Sequence, residues 1–286
     1  MCAYTHKRLE TTKTMKRIFC YILAIGAIIT GAACSVVNNA IKSGDPQFAY
    51  EQAMELYENK KWDQASTLFD ACRHIYMGTP REDSLSFYNA RCKFMNHDWE
   101  EAVSQLDTYR RKFSRSPFIE DAEGMYALCH YYMAPTPERD QSLTTQAIIA
   151  ITEFMSRYPD SEYMPEFTEM LNDLTGRLMT KSYLNAYTYY KIGKYKSAIV
   201  AFKNALKRYP DSPYKEEMMY YMIVSAYRLA DNSVESKQVD RFLAMIDTYY
   251  SFVAEHPNSK HMKELDRMAK AARTFLDKRE NTEKSN

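Results

Sequence analysis

Glycine is scarce in this chain: 7 of 286 residues, against 24 tyrosines and 13 phenylalanines. So few glycines cannot build the usual phosphate cradle, and no GxGxxG, P-loop, GxSxG or HExxH pattern occurs. The same scarcity disfavours a β fold with many tight turns. An excess of either charge is also lacking. Lys plus Arg number 38 and Asp plus Glu 37, a formal net charge of +1, so no global field recruits nucleic acid. No apolar run in the body of the chain is long enough to cross a bilayer. A CxxC metal pattern is missing. His256 and His261 straddle Pro257 and do not share a helix face, which reads as two exposed turn histidines. Glu82 and Asp83 follow Pro80 closely and read as first-turn residues favoured by the helix dipole, not as a catalytic dyad. The residue inventory therefore implies no enzyme, no cofactor and no metal.

What is present is punctuation. "RYPDSEY" ends at Tyr163 and "RYPDSPY" at Tyr214, with "EHPNSKH" later and the looser "FSRSPFI" earlier. Pro159, Pro210 and Pro257 each follow an apolar-periodic run that a proline cannot continue. The Asp or Asn and the Ser behind each proline offer acceptors to the free N–H groups of a new helix. Each copy reads as a joint: helix ends, turn, helix begins.

Between joints one spacing recurs. Trp62, Ala65, Phe69 and Cys72 step by three, four and three, a single helical stripe. The same steps describe Trp99, Ala102, Leu106 and Tyr109; Thr144, Ala147, Ile151 and Phe154; Tyr195, Ala198, Phe202 and Ala205; and Phe242, Met245, Tyr249 and Phe252. Ala53, Ala90 and Ala186 each sit ahead of a stripe, small enough to let two antiparallel helices approach. The pattern resembles the tetratricopeptide repeat, with repeats stretched beyond its usual length of about 34 residues. The expected fold is all-α: a superhelical solenoid of five helix pairs, closed by a capping helix over 260–278. Side chains just before and after each key alanine should line the inner wall. In repeat one these are Tyr50, Met54, Tyr57 and Glu58; in repeat two Phe87, Arg91, Phe94 and Met95; in repeat four Tyr183, Tyr187, Tyr190 and Lys191. Charge is segregated. Residues 151–173 hold six acidic side chains against Arg157, and 181–215 hold eight Lys or Arg against Asp211.

The first 33 residues differ from the rest. From Met15 they read "MKRIFCYILAIGAIITGAAC": a basic head, a short apolar run, then small residues before Cys34. This is a secretory signal, preceded by an upstream extension. Cys34 after Gly31, Ala32 and Ala33 resembles a bacterial lipobox, which implies acylation of Cys34 and cleavage before it. Ser35 in place of Asp favours the outer membrane, on its periplasmic face. Of the remaining mature cysteines, Cys72, Cys92 and Cys129 allow one disulfide at most and each lies in an apolar-periodic helix, so core thiols are expected.

Signal, lipobox, five stretched repeats and a last helix, opened by "FAYEQAMELYENKKWDQASTLF", resemble the BamD family of lipoproteins of the outer-membrane β-barrel assembly machine. The resemblance implies a non-catalytic scaffold that docks on the periplasmic domains of BamA and helps to receive unfolded barrel proteins. It also implies that the later repeats face BamA; Tyr183, Tyr187 and Tyr190 are the expected partner-binding residues there, with Lys191, Lys194 and Lys196 of the basic block expected to meet either that partner or an anionic lipid surface. Tyr50, Met54, Tyr57, Phe87, Arg91 and Phe94 would form the groove for substrate peptide. The expected division is 1–33 extension and signal, 34–45 lipidated linker, 46–134 N-terminal repeats, 135–278 C-terminal repeats with the cap, and 279–286 a disordered tail. A different periplasmic repeat adaptor, one that organises cell-wall synthesis, is the competing reading.

Overall fold

The structure is a computed structural model that describes residues 37–285. The signal segment, Cys34 and its acylation, and Asn286 lie outside the described residues. Residues 37–43 are helical. Eleven longer helices follow: α1 (Pro46–Glu58), α2 (Trp62–Tyr76), α3 (Arg81–Met95), α4 (Trp99–Lys112), α5 (Ile119–Met133), α6 (Ser142–Arg157), α7 (Met164–Lys191), α8 (Tyr195–Arg208), α9 (Lys215–Asp231), α10 (Glu235–Glu255) and α11 (Met262–Ser285). No strand occurs among the described residues. The expected all-α class holds among the described residues.

The chain divides into two compact units. Unit 1 takes residues up to 133 together with 150–159, and unit 2 takes 134–149 and 160 onward. In unit 1, α1 packs on α2, α2 on α3, α3 on α4 and α4 on α5; α3 also touches α5. In unit 2, α7 packs on α8, α8 on α9, α9 on α10 and α10 on α11; α9 also touches α7 and α11. In both units the first helices of consecutive repeats therefore meet directly.

The stripes are the cores. Phe69, Leu106, Phe154, Phe202 and Phe252 are fully buried, as are the spacer residues Ala53, Ala90 and Ala186. Each of these large side chains contributes about 1.5–3 kcal/mol relative to exposure. Cys72, Cys92 and Cys129 are buried free thiols. Burial pushes Cys92 and Cys129 up to about 12, which leaves them protonated and unreactive.

The joints work as their residues imply, through serine. Ser116, Ser161, Ser212 and Ser259 each accept, at Oγ, the N–H of the residue two positions on. The carbonyl of each then accepts the N–H three positions on, at 3.0–3.2 Å. That is the same small turn written four times.

The turns inside the repeats share another device. Lys60, His97 and Gly193 occupy equivalent positions with φ of 59°, 61° and 72°. In each turn the next N–H reaches back five residues, to Leu56, Lys93 and Tyr189. This closes the helix with a left-handed residue, which only glycine adopts without cost. His97→Gly and Lys60→Gly should each stabilise the protein by about 1 kcal/mol, and Gly193→Ala should cost a similar amount. Urea midpoints read all three. A Cβ at Gly193 meets nothing within 4 Å, so the backbone alone sets the loss.

One boundary moves. The last helix runs to Ser285, past the tail expected from Arg279 onward. Arg279 pairs with Glu235 at 2.5 Å and lies over the Phe275 ring, so the extension is held by contacts with α10 and within α11.

Candidate interaction surfaces

In unit 1 most of the expected wall is half-buried, each side chain resting on its neighbours without being enclosed. Tyr50 is half-buried. It meets Phe69 and Tyr76 edge-on at 6.0 and 5.9 Å, and the Arg81 guanidinium lies 4.9 Å from its ring centre. Its hydroxyl is 3.3 Å from Ser84. Met54 and Tyr57 are also half-buried, and Tyr57 meets Trp62 and Tyr88 edge-on. Burial raises the Tyr57 phenol above its ordinary value. Arg91 sits 5.9 Å from the Phe87 ring centre, and Phe94 packs on Trp99.

Phe87 is the correction. It occupies the repeat-two position equivalent to Tyr50, yet is 1% exposed. Phe118, from the joint before α5, stacks on it at 4.5 Å, and Tyr109 and Tyr88 close the other sides. It is a core residue and lines no groove. The "FSRSPFI" joint carried the signal, because it delivers Phe118 onto α3.

Charged groups in unit 1 also point inward. Glu82 is buried; its carboxylate accepts the Gly78 N–H at 2.8 Å and pairs with Lys112. Those bonds, Lys112 first, hold its carboxyl below the usual range. Glu82 is thus more than a first-turn residue. Asp83 accepts hydrogen bonds from Ser116 at 2.9 Å and from the Tyr109 hydroxyl. Glu123 pairs with Arg157 and stands 3.8 Å from Arg110 Nε.

His130, a buried residue of α5, stacks edge-on with Tyr126 at 4.6 Å, and its Nδ1 has no partner. Burial and then the Arg110 charge lower its pKa, with Asp107 opposing. The folded state therefore holds fewer protons at this site than the unfolded chain. Its contribution is complete above the unfolded value of about 6.5 and declines as pH falls below it. His130→Leu should flatten that decline in melting curves taken between pH 7.5 and pH 5, a range chosen around the histidine titration.

In unit 2 the expected tyrosines come together and recruit others. Tyr183 stacks on Tyr214 at 4.8 Å with planes 5° apart, and on Tyr187 at 5.7 Å. Tyr187 and Tyr190 each lie 4.8 Å from Tyr221. Tyr220 adjoins Tyr221 and stacks on His261 at 3.8 Å. All six tyrosines are half-buried, forming a ladder across α7, the joint before α9, and α9 itself. Burial raises the phenols of Tyr183, Tyr190, Tyr220 and Tyr221, so these four remain neutral hydrogen-bonding groups. The α9 members escaped the sequence reading because repeat five lacks the key alanine that located the wall elsewhere. Their signal was the Tyr220–Tyr221 pair soon after the "RYPDSPY" joint.

The histidine reading is corrected here. His261 and His256 are half-buried. The chain after Pro257 returns His261 onto α9, 3.3 Å from Glu217, whose carboxylate also takes Lys260 at 2.7 Å. His256 ends α10 against Phe252, with its Nε2 buried and unpartnered.

The three lysines of the expected docking set separate. Lys191 ends α7 and reaches within 5.9 Å of the Tyr187 ring, beside the ladder. Lys194 is the residue before α8. Lys196 points away from the buried side of α8. Within unit 2, Asp173 takes Arg177 at 2.6 Å, Lys215 pairs with Glu255, and Lys181 donates to the carbonyls of Glu138 and Arg139.

No helix among the described residues is long and apolar enough to cross a membrane, and no His, Cys, Asp or Glu cluster there could hold a metal.

The chain is similar to a protein of Caulobacter vibrioides named outer membrane protein assembly factor BamD, 24% identical over 235 residues, covering 78% of this chain and 76% of that one. A Rickettsia prowazekii protein of the same name is 20% identical over 246 residues, covering 86% and 94%. Among solved structures, the TPR2AB domain of yeast Sti1 gives a TM-score of 0.38 at 10% identity, over 79% of this chain and 98% of that one. A family model described as YfiO, outer membrane lipoprotein, matches residues 42–238 and 182–283, and so reaches into every helix from α1 to α11. The chain belongs to the YfiO family of outer membrane lipoproteins.

Proposed function

We propose that this protein is a non-catalytic scaffold of the machinery that assembles outer-membrane β-barrel proteins, held at the periplasmic face by an acylated Cys34. The family match carries the reading, and relatives named as assembly factors over most of their length support it. The tyrosine ladder of unit 2, with Lys191 at its edge, is the surface for BamA. Stacked tyrosines present wide contact area at low entropic cost, each with a polar tip. Unfolded barrel segments are received on the α1 and α3 side of unit 1, along Tyr50, Met54, Tyr57, Arg91 and Phe94, without Phe87.

Co-purification from envelopes in mild detergent tests this. The wild-type chain should retain BamA, and Tyr187→Ala with Lys191→Gln should lose most of it while the protein stays folded. Depletion should lower many outer-membrane barrels together. Normal barrel levels with altered cell-wall cross-linking would overturn the reading. Cys34→Ala should release the protein from the membrane fraction.

A further inference from the structure

The α8 helix is unlike the other ten. It is the only named helix without a single Asp or Glu. Its buried side is Ala198, Phe202 and Ala205. Directly opposite, at i, i+4, i+7 and i+11, stand Lys196, Val200, Lys203 and Lys207, all exposed, with Val200 at 54%. These four fall in one narrow stripe about 16 Å long at 1.5 Å per residue. None of the three lysines meets a carboxylate among the described residues. The turn that feeds the stripe adds Ile192, 60% exposed, and Lys194.

A merely solvated helix face mixes signs. This one does not, and it carries a cost within the fold. Lys203 and Lys207 are like charges one turn apart. Lys196 lies in the first turn, where the helix dipole disfavours a cation. An anionic counter-surface relieves both.

From this arrangement we infer that the outward stripe of α8 is a contact surface for anionic phospholipid headgroups. Three properties favour a bilayer over a protein partner. Lysine is depleted in protein interfaces, whose cores prefer Arg and aromatic rings, and the stripe has neither. A lysine is a point charge on a flexible apolar stem, suited to a surface of mobile headgroups instead of one fixed carboxylate. An aliphatic residue between cations on a one-sided helix is the pattern of interfacial adsorption. Membership of an outer-membrane lipoprotein family supplies the neighbouring surface.

Purified mature chain from Ser35 to Asn286, so that neither the apolar signal segment nor an acyl chain contributes, is sedimented with vesicles of phosphatidylcholine alone or mixed equally with phosphatidylglycerol. Anionic lipid should raise binding at least tenfold, and the gain should shrink with added salt. Each Lys→Gln change at 196, 203 and 207 should reduce the gain about fivefold, and the triple variant should abolish it. The triple Lys→Arg variant should keep it, and helical content and melting should be unchanged in both. Equal binding to neutral and anionic vesicles, or a triple Gln variant that keeps the full gain, overturns the proposal. If the gain is absent and the triple Gln variant instead loses BamA, the stripe is a protein contact.

Discussion

Phe87→Ala should destabilise unit 1 by about 3–5 kcal/mol, the range for removing a fully enclosed aromatic ring. The ring is sandwiched against Phe118 and bounded by Tyr88 and Tyr109, so deletion opens a void that neighbouring helices fill only in part. Urea denaturation followed by circular dichroism measures the shift. Tyr50→Ala provides the comparison: half-exposed, it should cost clearly less. Near-equal costs would mean that Phe87 is not the enclosed residue described above. The comparison also bears on function. Loss of substrate peptide in the Phe87 variant would report unfolding, whereas loss in the Tyr50 variant with a normal melting curve would report the groove.

Glu123→Gln should be nearly as damaging, for an electrostatic reason. Glu123 has 6% of its side chain exposed and Arg110 17%, and both belong to unit 1. The Arg110 Nε is buried without a hydrogen-bond partner even in the intact protein, and Glu123, 3.8 Å away, supplies its counter-charge, so removing that charge leaves the half-buried guanidinium uncompensated. Breaking one side of such a pair typically costs about 3–5 kcal/mol. Arg157 is half exposed and re-solvates, so it adds little. The double change Glu123→Leu with Arg110→Met should recover most of the loss, because an apolar pair carries no unmet charge. A double-mutant cycle on melting temperature separates the two cases. If the single change proves harmless, water reaches Arg110 and the pair is effectively at the surface.

Much of this architecture is written locally. In three joints a proline ends a helix by removing a donor and a serine two residues later bonds to its own neighbourhood; in the fourth Ser116 makes the same bond with Pro117 behind it. Four joints could therefore be read from four short phrases, and the four serines make the same bond. The three-four-three stripes need only helical periodicity, and Phe69, Leu106, Phe154, Phe202 and Phe252 are all enclosed. A left-handed turn is legible at Gly193 from its residue type. Lys60 and His97, which adopt the same left-handed conformation, were not, since their residue types do not announce it.

The candidate surfaces were only partly legible. A fixed offset from the key alanine placed Tyr50 and Phe87 in one class, and local geometry gives them the same direction. Their fates diverge because Phe118 arrives from another segment and stacks face-on over Phe87, whereas Tyr50 meets its neighbours Phe69 and Tyr76 only edge-on and stays half-buried. In unit 2 the offset found Tyr183, Tyr187 and Tyr190 but not Tyr214, Tyr220 and Tyr221, which join through contacts across helices. The docking lysines were grouped by nearness in sequence, yet a helix turns its residues apart: Lys191 attends the ladder and Lys196 faces outward.

Periodicity and turn chemistry alone thus determined the all-α class, the repeat joints and the buried stripes, because each depends on residues within a few positions of one another. Which ring is sealed, which carboxylate holds which cation, and where His261 rests were decided only by the tertiary structure. Those outcomes depend on groups 13 to 44 residues distant, such as Arg110 with Glu123 or His261 with Glu217, whose meeting no local pattern encodes.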